Sequence, residues 1–256
     1  MKNEQKRRSH INNQFLSKNI KFNYFDAIEP NKVDELSEQL SIPLINTNLT
    51  GGEKGCLLSH AALWKKMLDE NLDYIAIFED DIFLAEDANY FLSMSDWIPQ
   101  NVDILKIEAF ADDVMIKLHS KIKINNKRKL YALKERHLGT GGYIIFKQGA
   151  KNILDYIRSL QEITPIDNII FEKYIANHDV YQMFPALCIQ DFIYNKENIN
   201  FLSGLQHERE IRQNKEINNI SIKYGILCKV RREILRLFFQ LYNLHYKIWK
   251  RKIKFR

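Results

Sequence analysis

The sequence predicts an α/β fold with a basic amphipathic helix at its C-terminal end, and three observations lead there. Short apolar runs rich in β-branched and aromatic residues, such as Tyr74 to Phe78 (Y-I-A-I-F), alternate with stretches of helical period. At 256 residues, with only 9 Gly and 5 Pro, the chain can bury a sizeable core and does not have the composition of a disordered or fibrous protein. The net charge of +6 is uneven: Lys229 to Arg256 holds ten Lys or Arg against the single acid Glu233, which leaves a slightly acidic body.

Residues 4–19 read as a polar helix with a thin apolar stripe at Ile11, Phe15 and Leu16, and residues 20–28 alternate as a strand does at Ile20, Phe22 and Tyr24. A short helix and a loop then lead to Thr50. The next stretch, E-K-G-C-L-L-S-H-A-A-L-W, is a helix with Leu57, Ala61, Trp64 and Leu68 on one face. It carries Ser59 and His60 in its first turns, where free backbone amides favour an anion such as a diphosphate. For His60 a partly buried, satisfied imidazole is the competing reading.

The strand 74–78 follows, expected to be buried, and runs straight into Glu79, Asp80 and Asp81. Three adjacent carboxylates repel one another, and hard oxygen ligands suit Mg²⁺ or Mn²⁺. The carboxyl end of such a strand is where α/β folds bind ligands. A helix at residues 85–94 comes next, and then the strand V-D-I-L-K-I-E, which ends on Glu108. Glu108 reads either as a solvated strand-end acid or as a catalytic one. One or two strands, at residues 114–118 and 130–133, flank a basic turn at residues 121–129, and H-L-G-T-G-G-Y-I-I-F brings Gly139, Thr140 and Gly141 into another strand. Glycines there imply a tight turn or a close approach to a ligand. They do not open a helix, so a dinucleotide site does not follow.

A helix at residues 148–160 buries Ala150, Ile153, Leu154 and Ile157, and Pro165 opens another with Asp167 in its first turn. Asp167 can serve the helix dipole or the chemistry. Residues 180–191 read as a strand that Pro185 places at a sheet edge. Residues 195–228 read as a linker or lid. In the tail, Ile234, Leu237, Phe238, Leu241, Leu244 and Ile248 share a helical face flanked by cations, suited to an anionic membrane surface. Docking on the protein's own core and nucleic-acid contact are the competing readings; without a reading module the sequence favours no nucleic-acid role. Cys56, Cys188 and Cys228 suggest neither a disulfide framework nor a zinc site. The polar N-terminus and the absence of any long apolar run lead to the expectation of a cytoplasmic protein.

Taken together, G-E-K-G-C-L-L-S-H (Gly52 to His60), F-E-D-D (Phe78 to Asp81), D-I-L-K-I-E (Asp103 to Glu108), G-T-G-G-Y-I-I (Gly139 to Ile145) and P-I-D (Pro165 to Asp167) resemble the lipooligosaccharide glycosyltransferases of glycosyltransferase family 25. The resemblance implies a GT-A-like nucleotide-sugar transferase with a mixed central sheet, occupying residues 1–194. It implies an inverting enzyme that moves a hexose, galactose ahead of glucose, from a UDP-sugar to a lipooligosaccharide acceptor. Glu79 and Asp81 match the family's variant of the D-x-D motif that holds Mn²⁺ or Mg²⁺ against the diphosphate. Arg8, Ser59, His60, Asp80, Gly139, Thr140 and Gly141 are the expected nucleotide-sugar contacts. Asp167 and Glu108 are both candidates for the base that deprotonates the acceptor.

Family members open with an apolar strand ahead of the segment seen here as Asn3 to Arg8, so a first strand is expected to be missing. A catalytically weak or inactive remnant, acting only as an envelope-associated binding protein, is the alternative that follows. With the tail at residues 229–256 on an anionic surface, the expected place of the enzyme is the inner face of the cytoplasmic membrane.

Overall fold

The computed structural model describes residues 4–44, 47–110, 113–201 and 249–255. In order, these residues form helix α1 (Gln5–Leu16), α2 (Val33–Gln39), α3 (Gly51–Asp69), strands β1 (Tyr74–Phe78) and β2 (Ile82–Leu84), and α4 (Ala88–Ser93). There follow β3 (Ile104–Lys106), β4 (Glu108–Ala109), β5 (Asp113–Met115), β6 (Ile122–Lys123), β7 (Lys129–Ala132), β8 (Gly142–Phe146), α5 (Lys147–Ser159) and α6 (Ile166–Asn168). The last elements are β9 (Val180–Phe184), β10 (Cys188–Gln190), α7 (Asp191–Tyr194) and β11 (Lys250–Lys252).

A six-stranded mixed sheet in the order β1-β8-β3-β9-β7-β6 forms the centre, with β3 and β9 parallel and the other pairs antiparallel. Its middle strands are apolar at consecutive positions because both faces are covered. Tyr143 and Ile145 of β8 pack with Trp64 of α3 and Ile153 of α5, whereas Ile144 between them packs with Ile11 and Phe15 of α1 and Phe91 of α4. Helix α3 starts where the sequence supplies a capping box: the Thr50 hydroxyl accepts from Glu53 N at 3.2 Å, and Glu53 accepts from Thr50 N at 3.0 Å.

The structure differs from the expectations at five places. Strand β1 is not buried on both faces but lies at the sheet edge, with only Ile77 buried. Residues 20–28 are extended yet join no ladder among the described residues, so alternation there records one face packed on the body, with Phe22 against Phe15. The stretch 102–108 splits at Ile107, so that β3 joins the central sheet and β4 joins a second one, β2-β10-β4. Strand β9 is central, not an edge; Pro185 sits just past its end, where no ladder hydrogen bond is required of it.

The fifth correction concerns the tail, whose expected helix does not extend over residues 249–255. There β11 pairs antiparallel with β5, Ile253 is buried, and Lys134 lies 4.2 Å from the centre of the Trp249 ring. Apolar residues at 249, 253 and 255 fit one face of an extended segment as readily as a turn of helix. The rest of that expected helix, and most of the expected linker or lid, lie outside the described residues. No helix among the described residues is long and apolar enough to cross a membrane.

Candidate active site

The end of β1 meets the second sheet and the glycine loop that opens β8, and this junction collects acids from four separate stretches. Glu79 N donates to Gly141 O at 3.1 Å, which ties the acid turn to the loop, and the Thr140 hydroxyl donates to Glu79 Oε1. The Gln190 amide, at the end of β10, reaches both Glu79 Oε2 at 2.8 Å and Asp81 Oδ1 at 3.3 Å. Asp191 N donates to Asp81 O at 2.8 Å, fixing the turn from the other side.

Burial first, then repulsion from Asp81, Glu108 and Asp167, push the Glu79 carboxyl up to about 8. Asp81 is raised as well by burial, against the opposing pull of Arg7 and Gln190. Asp167, expected only from its place in P-I-D, is therefore within electrostatic range of Glu79; it is buried in the first turn of α6, where Asn168 N donates to it at 3.1 Å. Glu108 is fully buried at the start of β4. Burial raises its carboxyl too, but it has a cation of its own, Lys106 Nζ at 3.0 Å, and a bond from Gly141 N at 3.1 Å.

Glu79 and Asp81 fit a hard divalent cation. One amide donor now spans an oxygen of each, and both carboxyls are raised, first by burial and then by neighbouring acids, Asp81 for Glu79 and Asp80 and Asp191 for Asp81. They supply two ligands; no group of three or more His, Cys, Asp or Glu among the described residues is arranged to hold a metal. A cation here would complete its shell from diphosphate and water, as Mg²⁺ commonly does.

The other expected residues divide. Gly139, Thr140 and Gly141 line the junction, and a Cβ on Gly141 would stand 2.7 Å from Glu108 Oε1, so glycine is needed there. Gly139 holds φ at +91°, and a Cβ on it would meet the Phe110 ring. Asp80 is also at the site, paired with Arg7. Arg8, the expected contact, faces away: it pairs with Asp26 at 2.5 Å and lies over the Tyr24 ring. Ser59 donates to Gly55 O at 2.6 Å and accepts from Ile28 N at 2.9 Å, a bridge inside the fold. His60 takes its competing reading: its Nδ1 lies 2.7 Å from the Tyr143 hydroxyl, which also accepts from Trp64, and burial drives the ring down to about 4. It is a neutral core imidazole.

Four residues at the junction were not expected: Arg7, Lys106, Gln190 and Asp191. Lys106 leaves a trace in the sequence, since a charge in the middle of I-L-K-I-E sits two residues from Glu108, on the same side of an extended chain. Gln190 and Asp191 end an apolar strand as Glu79 does, in C-I-Q-D.

The model of glycosyltransferase family 25 (LPS biosynthesis protein) matches residues 1–170. Among curated proteins, the chain is 33% identical to the lipooligosaccharide biosynthesis protein lex-1 of Haemophilus influenzae, over 98% of this chain and 91% of that protein. The chain belongs to glycosyltransferase family 25. It is also 34% identical to the lipooligosaccharide biosynthesis protein lic2B of Haemophilus influenzae, over 91% of each chain, and 35% identical to the lacto-N-neotetraose biosynthesis glycosyltransferase LgtE of Neisseria gonorrhoeae, over 80% of this chain and 78% of that one. A family 25 glycosyltransferase uses a nucleotide-sugar donor and an oligosaccharide acceptor, and the mixed α/β architecture fits such an enzyme.

Proposed function

We propose that this family 25 enzyme transfers a hexose, galactose ahead of glucose, from a UDP-sugar to a lipooligosaccharide acceptor with inversion, in a GT-A-like domain. The observation that carries the reading is the gathering of Glu79, Asp81 and Glu108 at the Gly139–Gly141 loop at one strand end, with Asp167 within electrostatic range of Glu79. The presence of that whole set weighs against a non-catalytic remnant.

Glu79 and Asp81 would hold Mn²⁺ or Mg²⁺, whose chemistry is to neutralise charge on the departing diphosphate. Arg7, drawn to Asp80 beside them, adds a cation at the same end. Asp167 is the better candidate for the base. Glu108 has one oxygen bound to Lys106 and Gly141 and the other sealed from solvent behind Gly141, so it cannot reach an acceptor hydroxyl without moving the loop. In the displacement the acceptor oxygen bonds to the anomeric carbon as the bond to UDP breaks, and the hydroxyl proton passes to Asp167.

Turnover of UDP-galactose and UDP-glucose with extracted lipooligosaccharide tests the reading; Asp167→Asn is expected to lower kcat by about 10²–10⁴-fold with UDP affinity kept. Full activity in that variant would remove Asp167 from the role. The basic tail at residues 229–256 is proposed to hold the enzyme on the anionic inner face of the cytoplasmic membrane. Sedimentation with anionic vesicles that did not change on its deletion would refute this.

A further inference from the structure

Lys106 is fully buried in β3, and an ammonium without water needs all three of its donors placed. They are placed: Glu108 Oε2 at 3.0 Å, Leu138 O at 2.8 Å, and Gly139 O. Its Nζ also lies 4.0 Å from the centre of the Phe171 ring, on the face that holds positive charge favourably. A buried ion pair is seldom the most stable filling for such a space, since apolar side chains of the same volume often do as well or better. What an apolar residue cannot do is fix two successive carbonyls and a carboxylate at once.

Those carbonyls belong to the two residues just before Thr140. The loop they define then makes three contacts with the acids: Thr140 Oγ1 donates to Glu79 Oε1, Gly141 O accepts from Glu79 N at 3.1 Å, and Gly141 N donates to Glu108 Oε2 at 3.1 Å. Glu108 thus closes a ring, with Lys106 on one side and Gly141 on the other, around a loop in which neither Gly139 nor Gly141 has room for a Cβ. We infer that Lys106 is a positioning residue: it sets the 138–141 loop, and through Thr140 it fixes the orientation of the Glu79 carboxylate toward the metal-diphosphate of the donor. Glu108 is its counter-ion and completes the clamp. This inference rests on the transferase reading above.

Three variants test it, each read by melting temperature, by calorimetric affinity for UDP in the presence of Mn²⁺, and by kcat and KM with UDP-hexose. Lys106→Met is expected to destabilise the protein, because it leaves Glu108 buried without a cation, and to weaken Mn²⁺–UDP affinity and kcat by about 10–100-fold. Lys106→Met combined with Glu108→Gln removes both charges, so the melting temperature should recover while affinity and kcat stay low. A merely structural pair would recover all three together, and that result would overturn the inference. Thr140→Val cuts the same link further along with little change of volume; it should reproduce the loss of Mn²⁺–UDP affinity and kcat, and wild-type values in this variant would also overturn it. Should wild-type enzyme bind Mn²⁺–UDP yet turn over no UDP-hexose, the transferase reading falls, while the binding measurements on the variants still decide the role of Lys106.

Discussion

Two sets of buried acids meet at this site and are handled in opposite ways. Glu108 has a protein cation of its own: Lys106 is 3.0 Å away, and both side chains are fully buried. Glu79 and Asp81 share a neutral amide from Gln190, while Arg7, bound to Asp80, also forms an ion pair with Asp81 at 3.6 Å. The first set is electrostatically closed and acts on the loop. In the second, Arg7 pairs with Asp80 and Asp81 and has no ion pair with Glu79 among the described residues, an excess of negative charge that favours the cation proposed above. On the proposed reading, the same residue type serves as a structural clamp or as a metal ligand according to how much counter-charge the fold supplies.

The largest expected effect comes from removing the open set. Glu79→Ala with Asp81→Ala should lower turnover by about 10³-fold, the loss of several kcal/mol of charge stabilisation at the departing diphosphate, and abolish the response to Mn²⁺. The metal-free protein should be no less stable, because two mutually repelling groups are gone. A fall in melting temperature together with a retained Mn²⁺ response would reverse the contrast between the two sets. Removing the acid of the closed set, by Glu108→Ala, should instead cost about 3–5 kcal/mol of stability, since Lys106 stays buried without its partner. Urea denaturation monitored by tryptophan fluorescence measures it.

The effect of pH is next in size. Glu79 is raised from 4.5 to about 8, so between these values the folded state binds a proton that the unfolded state has released. Stability of the metal-free protein is therefore greatest below 4.5 as far as this group is concerned, and declines as pH rises toward 8. A drop in melting temperature of a few degrees between pH 5 and pH 8.5 in EDTA is expected. It should be blunted in Glu79→Gln and offset by Mn²⁺, which takes the proton's place. A melting temperature that rises with pH and is indifferent to Glu79→Gln would show that the open set is already neutralised within the protein.

The sequence made the open set legible and left most of the closed one out of view. Glu79, Asp80 and Asp81 stand together at the end of an apolar run, so adjacency alone marks them. Glu108 and Asp167 also end or open regular elements, but nothing local says that they approach Glu79; for Glu108 that depends on β4 joining β10 in a second sheet. Lys106 reads as one polar residue in a strand until β3 proves to be central, with both faces covered and Phe171 beneath the ammonium. Ser59 and His60 erred the other way. The helix position suited an anion, but the side chains are already engaged by Gly55, Ile28 and Tyr143. Residues 20–28 have the alternation of a strand without the pairing, since alternation reports which side is covered and not whether a neighbour completes the hydrogen bonds.

The smallest effect separates two neighbours that the sequence does not distinguish. Arg7 and Arg8 are adjacent on α1, and about 100° of helical rotation points them to different partners. Arg7 enters the open set at Asp80, where Asp80 and Asp81 hold its charge more strongly than burial opposes it. Arg8 lies partly exposed across Asp26 and Tyr24. Arg7→Ala is expected to raise KM for the UDP-sugar about tenfold, the loss of one charge-assisted contact, with a smaller change in kcat. Arg8→Ala removes an ion pair that is open to solvent and should change stability by no more than about 1 kcal/mol, with KM unchanged. If the two variants exchanged these effects, the diphosphate would lie on the Asp26 side of α1, and the acids gathered at β1 would not be facing it.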